Sequence, residues 1–596
     1  MDETVTPGPD LTWDDNGAPR SRLFGDVYFS SEDGLAESRA VFLDGCHLPQ
    51  AWTGRRRFCV AELGFGTGLN ILALLDLWRR TRPPDGHLHV FSIEAHPISA
   101  GDATRALARW PQISDVAHLL LSRWPGRARG FHRVDLPELD ATLDIAIMDV
   151  ARALQSWSGP ADAWFLDGFA PSRNPEMWRR EVLDLVAARS APGARVASFT
   201  VAGQVRRDLQ DAGLDVERLP GFGRKRHRLE ARVPGLCAPE PPKRRVAIIG
   251  AGIAGASLGR AFTALGADVQ IFDAEGPGAG ASGGPVALVA PRLDAGLADQ
   301  AALFAQAFAR AARLYAGVPG AVVSLGAVQH RVGPKDAARF SAIAGSDLFE
   351  PGCMIDTDIG LEIHTATVIE PASVFAAWLC PPARARVATV SWDHDSWRII
   401  DPDGAEIARA DVVCLAAGMD CARLAPGLPL TPVRGQASLA LGATYPCTTL
   451  FSAYVIPTRE GVLFGATHDR DDTDARPRDG DHIRNLEAVA AVIPELAEAL
   501  RKHSLRPWTG IRATTRDYLP LAGEVAAEAP GLFVLGGLGS RGFTLAPLLA
   551  EHIASLALSA PSPLPRPLAE LVDPARFERR ARRRGRPDQT PASALG

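Results

Sequence analysis

The stretch DAWFLDGFAPSRNPEMW (Asp162–Trp178) places an acid, Asp167, at the end of an apolar run and follows it at once with Gly168, Pro171 and Pro175. Proline and glycine lock such a segment into a defined loop. A carboxylate there could orient an amine and take its proton, which methyl transfer to nitrogen requires because the lone pair must be free. The plainer reading of Asp167 is a turn cap. Upstream, AELGFGTGLN carries Glu62, Gly64, Gly66 and Gly68. Glycines let backbone turn tightly and approach a ligand with no Cβ in the way. The spacing E-x-G-x-G-x-G differs from the pyrophosphate spacing G-x-G-x-x-G. It favours S-adenosylmethionine, which has no phosphate, with another nucleotide as the alternative. Glu94 ends the next strand, where a carboxylate can bridge ribose hydroxyls, and Asp149 ends a later one, suited to the adenine edge.

A second glycine loop, IIGAGIAGASLG, supplies Gly250, Gly252 and Gly255. It follows an apolar strand, opens a helix and is trailed by Asp273 at the end of DVQIFD. That context fits a dinucleotide fingerprint, with pyrophosphate on the helix N-terminus and Asp273 accepting ribose hydroxyls. The loop GAGASGG, with Gly283, and the late unit GLFVLGGLGSRGFTLAP, with Gly539, Arg541 and Gly542, favour FAD over NAD.

These residues need elements to hold them. FCVAEL, HLHVFSI, Leu143–Met148, Trp164–Leu166 and Arg195–Thr200 read as strands alternating with helices, an α/β sandwich with a mostly parallel sheet. The fold class expected is α/β: a Rossmann-like methyltransferase sheet followed by an FAD-binding Rossmann domain with an antiparallel-sheet substrate subdomain. VPGLCAPEPP concentrates proline and glycine and marks a linker. The boundaries expected are 1–235 for the first domain, 236–245 for the linker, 246–575 for the second domain, and 576–596 for a basic, disordered tail.

The 596 residues are 46% hydrophobic and 22% charged with net charge -5, ordinary for a soluble globular chain and unlike a strongly basic nucleic-acid coat. Basic patches nonetheless occur at Arg224–Arg228, Lys243–Arg245 and Arg579–Arg586. Each alone reads as solvated surface; together they leave room for a polyanion. The eight cysteines are scattered, with no C-x-x-C pair, which is neither a zinc pattern nor a disulfide framework and suits a reducing cytoplasm. No metal is expected. The N-terminus is acidic and polar, unlike a signal peptide, and no apolar run reaches membrane-spanning length.

The second half resembles the glycine oxidase and D-amino-acid oxidase family, through PVRGQ, WTGIRATTRDYLPLAG and GGLGSRGFTLAP. The first half resembles a small methyltransferase family through GDVYFSSEDGLAESRAVFLDG, ELGFGTGLN, DGFAPSRNPEMW and GFGRKRHRL. Both in this order resemble a family of bifunctional tRNA-modifying proteins. The resemblance implies a tRNA anticodon partner bearing a wobble 5-carboxymethylaminomethyl-uridine, no membrane, and a monomer as an allowed state. It implies FAD-dependent removal of the carboxymethyl group, then methylation of the freed amine with S-adenosylmethionine. It also makes Arg512 the carboxylate-binding residue, against an ion pair with Asp517 as the structural alternative. Arg224, Lys225 and Arg226 are the expected RNA contacts. Two other readings are a free amino-acid oxidase fused to a small-molecule or protein methyltransferase, and a flavin-bearing RNA-binding scaffold without methyltransferase activity.

Overall fold

The computed structural model describes residues 8–15, 17–30, 32–223, 225–237, 242–525 and 529–583. It divides into two compact units, Met1–Pro242 with Pro561–Arg566, and Lys243–Ala560 with Pro567–Gly596. The division falls inside the expected linker, but the short segment Pro561–Arg566 was not expected in the first unit.

In the first unit eight strands form one sheet: β1 (Arg57–Leu63), β2 (His87–Glu94), β3 (Gly130–Leu136), β4 (Ala141–Ile147), β5 (Ala161–Leu166), β6 (Ser190–Ser198), β7 (Asp215–Pro220) and β8 (His227–Arg232), in the order β7-β8-β6-β5-β1-β2-β4-β3. The central run β6-β5-β1-β2-β4 is parallel, and β3 and β8 run antiparallel to their neighbours. Apolar clusters cover both faces, which is why β1 and β5 read as unbroken apolar runs. Helix α1 (Leu69–Thr81) starts from Gly68, left-handed at φ 76°, and ends on Arg79 and Arg80, the charge a helix C-terminus favours. Helix α2 (Val150–Ser156) is capped by Asp149. In β3 and β4, buried Arg133 pairs with Asp144 at 2.8 and 2.7 Å, and also donates to the Pro561 carbonyl at 3.2 Å.

The second unit opens with β9 (Arg245–Ile249) and continues through β10 (Asp268–Asp273), β11 (Val412–Leu415) and β12 (Leu532–Gly536), parallel in the order β10-β9-β11-β12. Helix α3 (Ile253–Ala264) follows β9 directly. A second, mixed and largely antiparallel sheet is built around Thr431–Leu441, which pairs with Leu505–Thr514 on one side and with Gly461–Gly465 and Asp469–Arg470 on the other. Helix α4 (Asp479–Ala490) packs on that sheet, and α5 (Gly542–Ala557) follows β12 and is buried along nearly its whole length. The expected disordered tail is corrected in its first part. Arg576–Arg583 is helix α6, and Arg576 is buried against Asp517 at 3.0 Å. Residues 584–596 lie outside the described residues. No described helix is long and apolar enough to cross a membrane.

Candidate active sites

A cavity of about 770 Å³ opens at the carboxyl ends of β1, β2 and β5. Gly64, Gly66 and Gly68 all have positive φ (82°, 52° and 76°), so the loop after β1 excludes side chains on conformational grounds. A Cβ on Gly64 would stand 3.1 Å from the Gly168 Cα, so the two site loops meet backbone to backbone. Gly64 and Gly66 line the cavity; Gly68 instead packs against Phe65 and Trp124 as the helix start. Glu94 lines it too, and accepts the Gly66 N–H at 2.9 Å and the His96 N–H at 2.8 Å. Asp149 reaches the same wall while its Oδ1 caps α2, accepting from Ala151 and Arg152 at 3.0 and 3.1 Å. The rings of Phe24, Tyr28 and Phe169 complete the wall, Phe24 stacked on Phe169 at 4.8 Å.

Asp167 faces this cavity at the end of β5. Burial pushes its carboxyl up to about 6, against the lowering by the Gly168 N–H, Asn70 and Lys225. Asn70 donates to Asp167 at 2.7 Å and to Glu62 at 3.1 Å; its oxygen accepts from Ser38 at 2.5 Å, and Ser92 donates to Glu62 at 2.6 Å. Glu62 is fully buried and does not line the cavity; burial pushes its carboxyl well up, and it accepts from Asn70 and Ser92. Asn70 and Ser38 were missed, although both stand inside the motifs quoted from the sequence. A carboxyl raised by burial on the wall of a glycine-lined cavity is of the type that can receive a proton from an amine.

Lys225 lines this cavity, pairs with Glu37 at 2.7 Å and lies 4.4 Å from the centre of the Phe199 ring. Its charge also lowers the Asp167 carboxyl. Arg226 is exposed beside β8 and outside the cavity lining. Arg224 lies outside the described residues.

The second unit holds a cavity of about 1100 Å³. Gly250 has φ 115°, and a Cβ there would overlap the Ala416 carbonyl. Gly252 opens α3 at the cavity wall, 3.1 Å (for an added Cβ) from the Ser282 hydroxyl that accepts the Ile253 N–H. This bare helix start is the cradle that a pyrophosphate needs. Gly255 and Gly283 do not line the cavity. An added Cβ would overlap the Gly250 carbonyl in the first case and the Gly278 carbonyl in the second, so both act by close packing. Asp273 accepts three backbone N–H groups, from Ala251 (2.7 Å), Glu275 (2.9 Å) and Gly276 (2.7 Å). A carboxylate has about four acceptor positions, so at most one remains for a ribose hydroxyl. Gly539, Arg541 and Gly542 line the cavity before and at the start of α5; Arg541 donates to the Ala290 and Pro291 carbonyls at 3.3 Å, and burial lowers it to about 10.

Arg512 reaches the same cavity from Leu505–Thr514, with Tyr454 and His468 nearby on its wall. A Cβ on Gly435 would overlap its guanidinium, so the glycine of PVRGQ is what lets Arg512 cross the neighbouring strand. The residue before it, Arg434, points to the opposite face and is fully buried on Asp481 at 2.6 Å. Among the described residues Arg512 has no carboxylate partner; its one recorded hydrogen bond is to the Thr467 carbonyl at 3.5 Å. Burial lowers its pKa, opposed by Tyr454. The suggested ion pair with Asp517 is absent, because Asp517 is taken by Arg576 at 3.0 Å and Arg580 at 2.5 Å. A guanidinium on a cavity wall can hold a carboxylate through paired N–H donors.

Comparison with known proteins places both units in families. Residues 245–556 match the family of FAD dependent oxidoreductases, and residues 111–234 match an S-adenosyl-L-methionine-dependent methyltransferase family. The second match starts beyond the Gly64–Gly68 loop, which the cavity itself supplies. A bifunctional protein of Caulobacter sp. (strain K31), named tRNA 5-methylaminomethyl-2-thiouridine biosynthesis bifunctional protein MnmC, is 55% identical over 97% of this chain and 99% of its own. The chain belongs to the MnmC family. Relatives of the same name from Caulobacter vibrioides and Maricaulis maris are 55% and 43% identical, over 96% and 97% of this chain and 98% and 97% of their own. As in that family, a methyltransferase unit using S-adenosylmethionine and an oxidoreductase unit using FAD share one polypeptide, and the α/β fold of both halves is as the sequence indicated.

Proposed function

We propose that this MnmC-family chain modifies the wobble uridine of tRNA in two consecutive steps. The observation that carries the reading is the pairing of sites in one chain. One cavity carries an arginine able to hold a carboxylate, and the other a carboxylate able to take an amine proton.

The first substrate is 5-carboxymethylaminomethyl-(2-thio)uridine, whose side chain is an N-substituted glycine. Arg512 would hold its carboxylate, and FAD, held at the glycine start of α3 and by Asp273, would supply the hydride acceptor. Loss of hydride from the glycine carbon and of the proton from nitrogen leaves a substrate imine, and water splits it into glyoxylate and 5-aminomethyl-(2-thio)uridine. That primary amine is the acceptor of the second step, in which S-adenosylmethionine would supply the methyl group, its S–CH3 bond breaking to leave S-adenosylhomocysteine. Asp167, ionised above about pH 6, accepts hydrogen bonds from the amine and takes its proton, so that the lone pair can attack. Asn70 keeps the carboxylate pointed at the cavity. The product is 5-methylaminomethyl-(2-thio)uridine. Both reactions call on the same anticodon, so fusion raises the effective concentration of the intermediate at its second site. A tRNA substrate and eight free cysteines agree with action in the cytoplasm.

Nucleoside analysis of tRNA from cells lacking the protein tests this. Carboxymethylaminomethyl-uridine should accumulate, and an unchanged profile would sink the reading.

A further inference from the structure

Tyr518 lies outside both cavities and is unusual in two ways. It has φ 58°, the left-handed region that is costly for a bulky residue, and the residue is 50% exposed. The turn that holds it is well tied. Its N–H donates to the Thr515 carbonyl at 3.2 Å, and the Asp517 carboxylate accepts from the Thr515 hydroxyl at 3.0 Å and the Leu519 N–H at 3.3 Å. The guanidinium of Arg470 sits over the ring, 5.4 Å from its centre. Val433 pairs with Arg470 on one side and with Arg512 on the other. Two strand spacings put those two backbones about 10 Å apart, so the ring and cation lie near the carboxylate-binding end of the flavin cavity.

Asp517 also ties down α6 through Arg576 and Arg580. That helix, RFERRARR, has five arginines and one glutamate, and the side chains of Arg579, Arg580 and Arg582 are 44%, 44% and 76% exposed. Arg579, Arg580 and Arg582 pair with Asp573, Asp517 and Glu578, yet the helix's five arginines outnumber these three acids, so a net positive charge remains, joined through Asp517 to an exposed, strained residue.

Building on the tRNA reading above, we propose that Tyr518 and Arg470 form a stacking platform for a nucleobase flanking the modified uridine, and that α6 contacts phosphates of the same strand. An aromatic face backed by a cation accepts any base, and a basic helix beside it follows the backbone; together they are what single-stranded nucleic acid requires. The conformational cost at Tyr518 is then retained for the ligand, since glycine would fit the turn with less strain.

The test uses the full-length protein and tRNA from cells lacking it, with glyoxylate release as the readout. Tyr518→Gly removes the ring and relieves the backbone, so thermal stability and flavin spectrum should hold. Its KM for tRNA should rise between about fivefold and a hundredfold with kcat little changed, Tyr518→Phe should stay near wild type, and Arg470→Gln should follow Tyr518→Gly in part. Arg582→Gln should lower the salt dependence of tRNA binding by about one in log–log slope. Unchanged KM in both Tyr518→Gly and Arg470→Gln would overturn the platform while leaving the two-step reading intact, and so would a loss of activity matched by loss of flavin. A wild-type protein that releases no glyoxylate from this tRNA would instead remove the reading on which the platform rests.

Discussion

The amide nitrogen of Asn70 lies 2.7 Å from a carboxylate oxygen of Asp167, and the same nitrogen reaches Glu62 at 3.1 Å. It stands between two acids that burial already pushes upward. Asn70→Ala should leave both without that donor. Methylation of tRNA bearing the primary amine should fall about tenfold or more, and the rising limb of its pH profile should move to the alkaline side of about 6. Glyoxylate release should not change.

Asp167→Asn keeps the size of the side chain and removes the proton acceptor. Methyl transfer should slow by about a hundredfold or more, and mass spectrometry should find tRNA stopped at the aminomethyl stage. Because folding raises this carboxyl to about 6, the stability linked to its neutral form is complete below the ordinary carboxylate range and lost as pH rises through about 6. The asparagine variant should therefore melt higher than wild type at pH 7 and much like it at pH 4. Loss of S-adenosylmethionine binding would show that Asp167 holds the cofactor instead.

Arg512→Met should abolish oxidation and spare methylation of a pre-formed amine. The substrate carboxylate would enter a buried site with no charge to meet it. Normal glyoxylate yield in that variant would show the arginine to be structural.

Gly252→Val should yield colourless protein. Its side chain would press on Ser282 and narrow the path past the start of α3. Absorbance of the purified protein, before and after incubation with FAD, is the measurement.

Lys225→Met should lower methylation more than it lowers tRNA affinity. The ammonium pairs with Glu37 and its charge lowers the Asp167 carboxyl, so its removal lifts that carboxyl and leaves less of it ionised to take the amine proton. The pH profile of methylation should shift to the alkaline side, and Lys225→Arg should restore it. A loss that follows tRNA binding alone would return Lys225 to the role of a phosphate contact.

The glycine loops and strand-end acids were legible because their constraints are local. A positive φ at Gly64 or Gly250 is met by the residue type itself. The partners of those acids were not, because they depend on what lies across the sheet. Asp273 looks like a ribose acceptor in one dimension, yet backbone N–H groups take most of its capacity. Glu62 alternates onto the wrong layer, and the Ser38–Asn70 contact closes over 32 residues. Arg512 and Asp517 stand close in sequence, but only the register with Thr431–Leu441 turns Arg512 into the cavity, and only α6 claims Asp517. RKRHR read as one basic patch, although Lys225 turns into the cavity that Arg226 does not line.

The segment Pro561–Arg566 changes how the protein can be made. Its Pro561 carbonyl accepts from Arg133, and its Ser562 N–H meets the Ser158 hydroxyl at 3.3 Å, both inside the first unit. A ribosome adding about 5–20 residues per second therefore releases nearly all of that unit many seconds before it supplies the segment that finishes it. Until then, the buried Arg133–Asp144 pair waits for one of its acceptors. A gene cut after Pro242 would never supply it, so the methyltransferase expressed alone should need those last residues returned as a peptide or a graft to reach its full melting temperature.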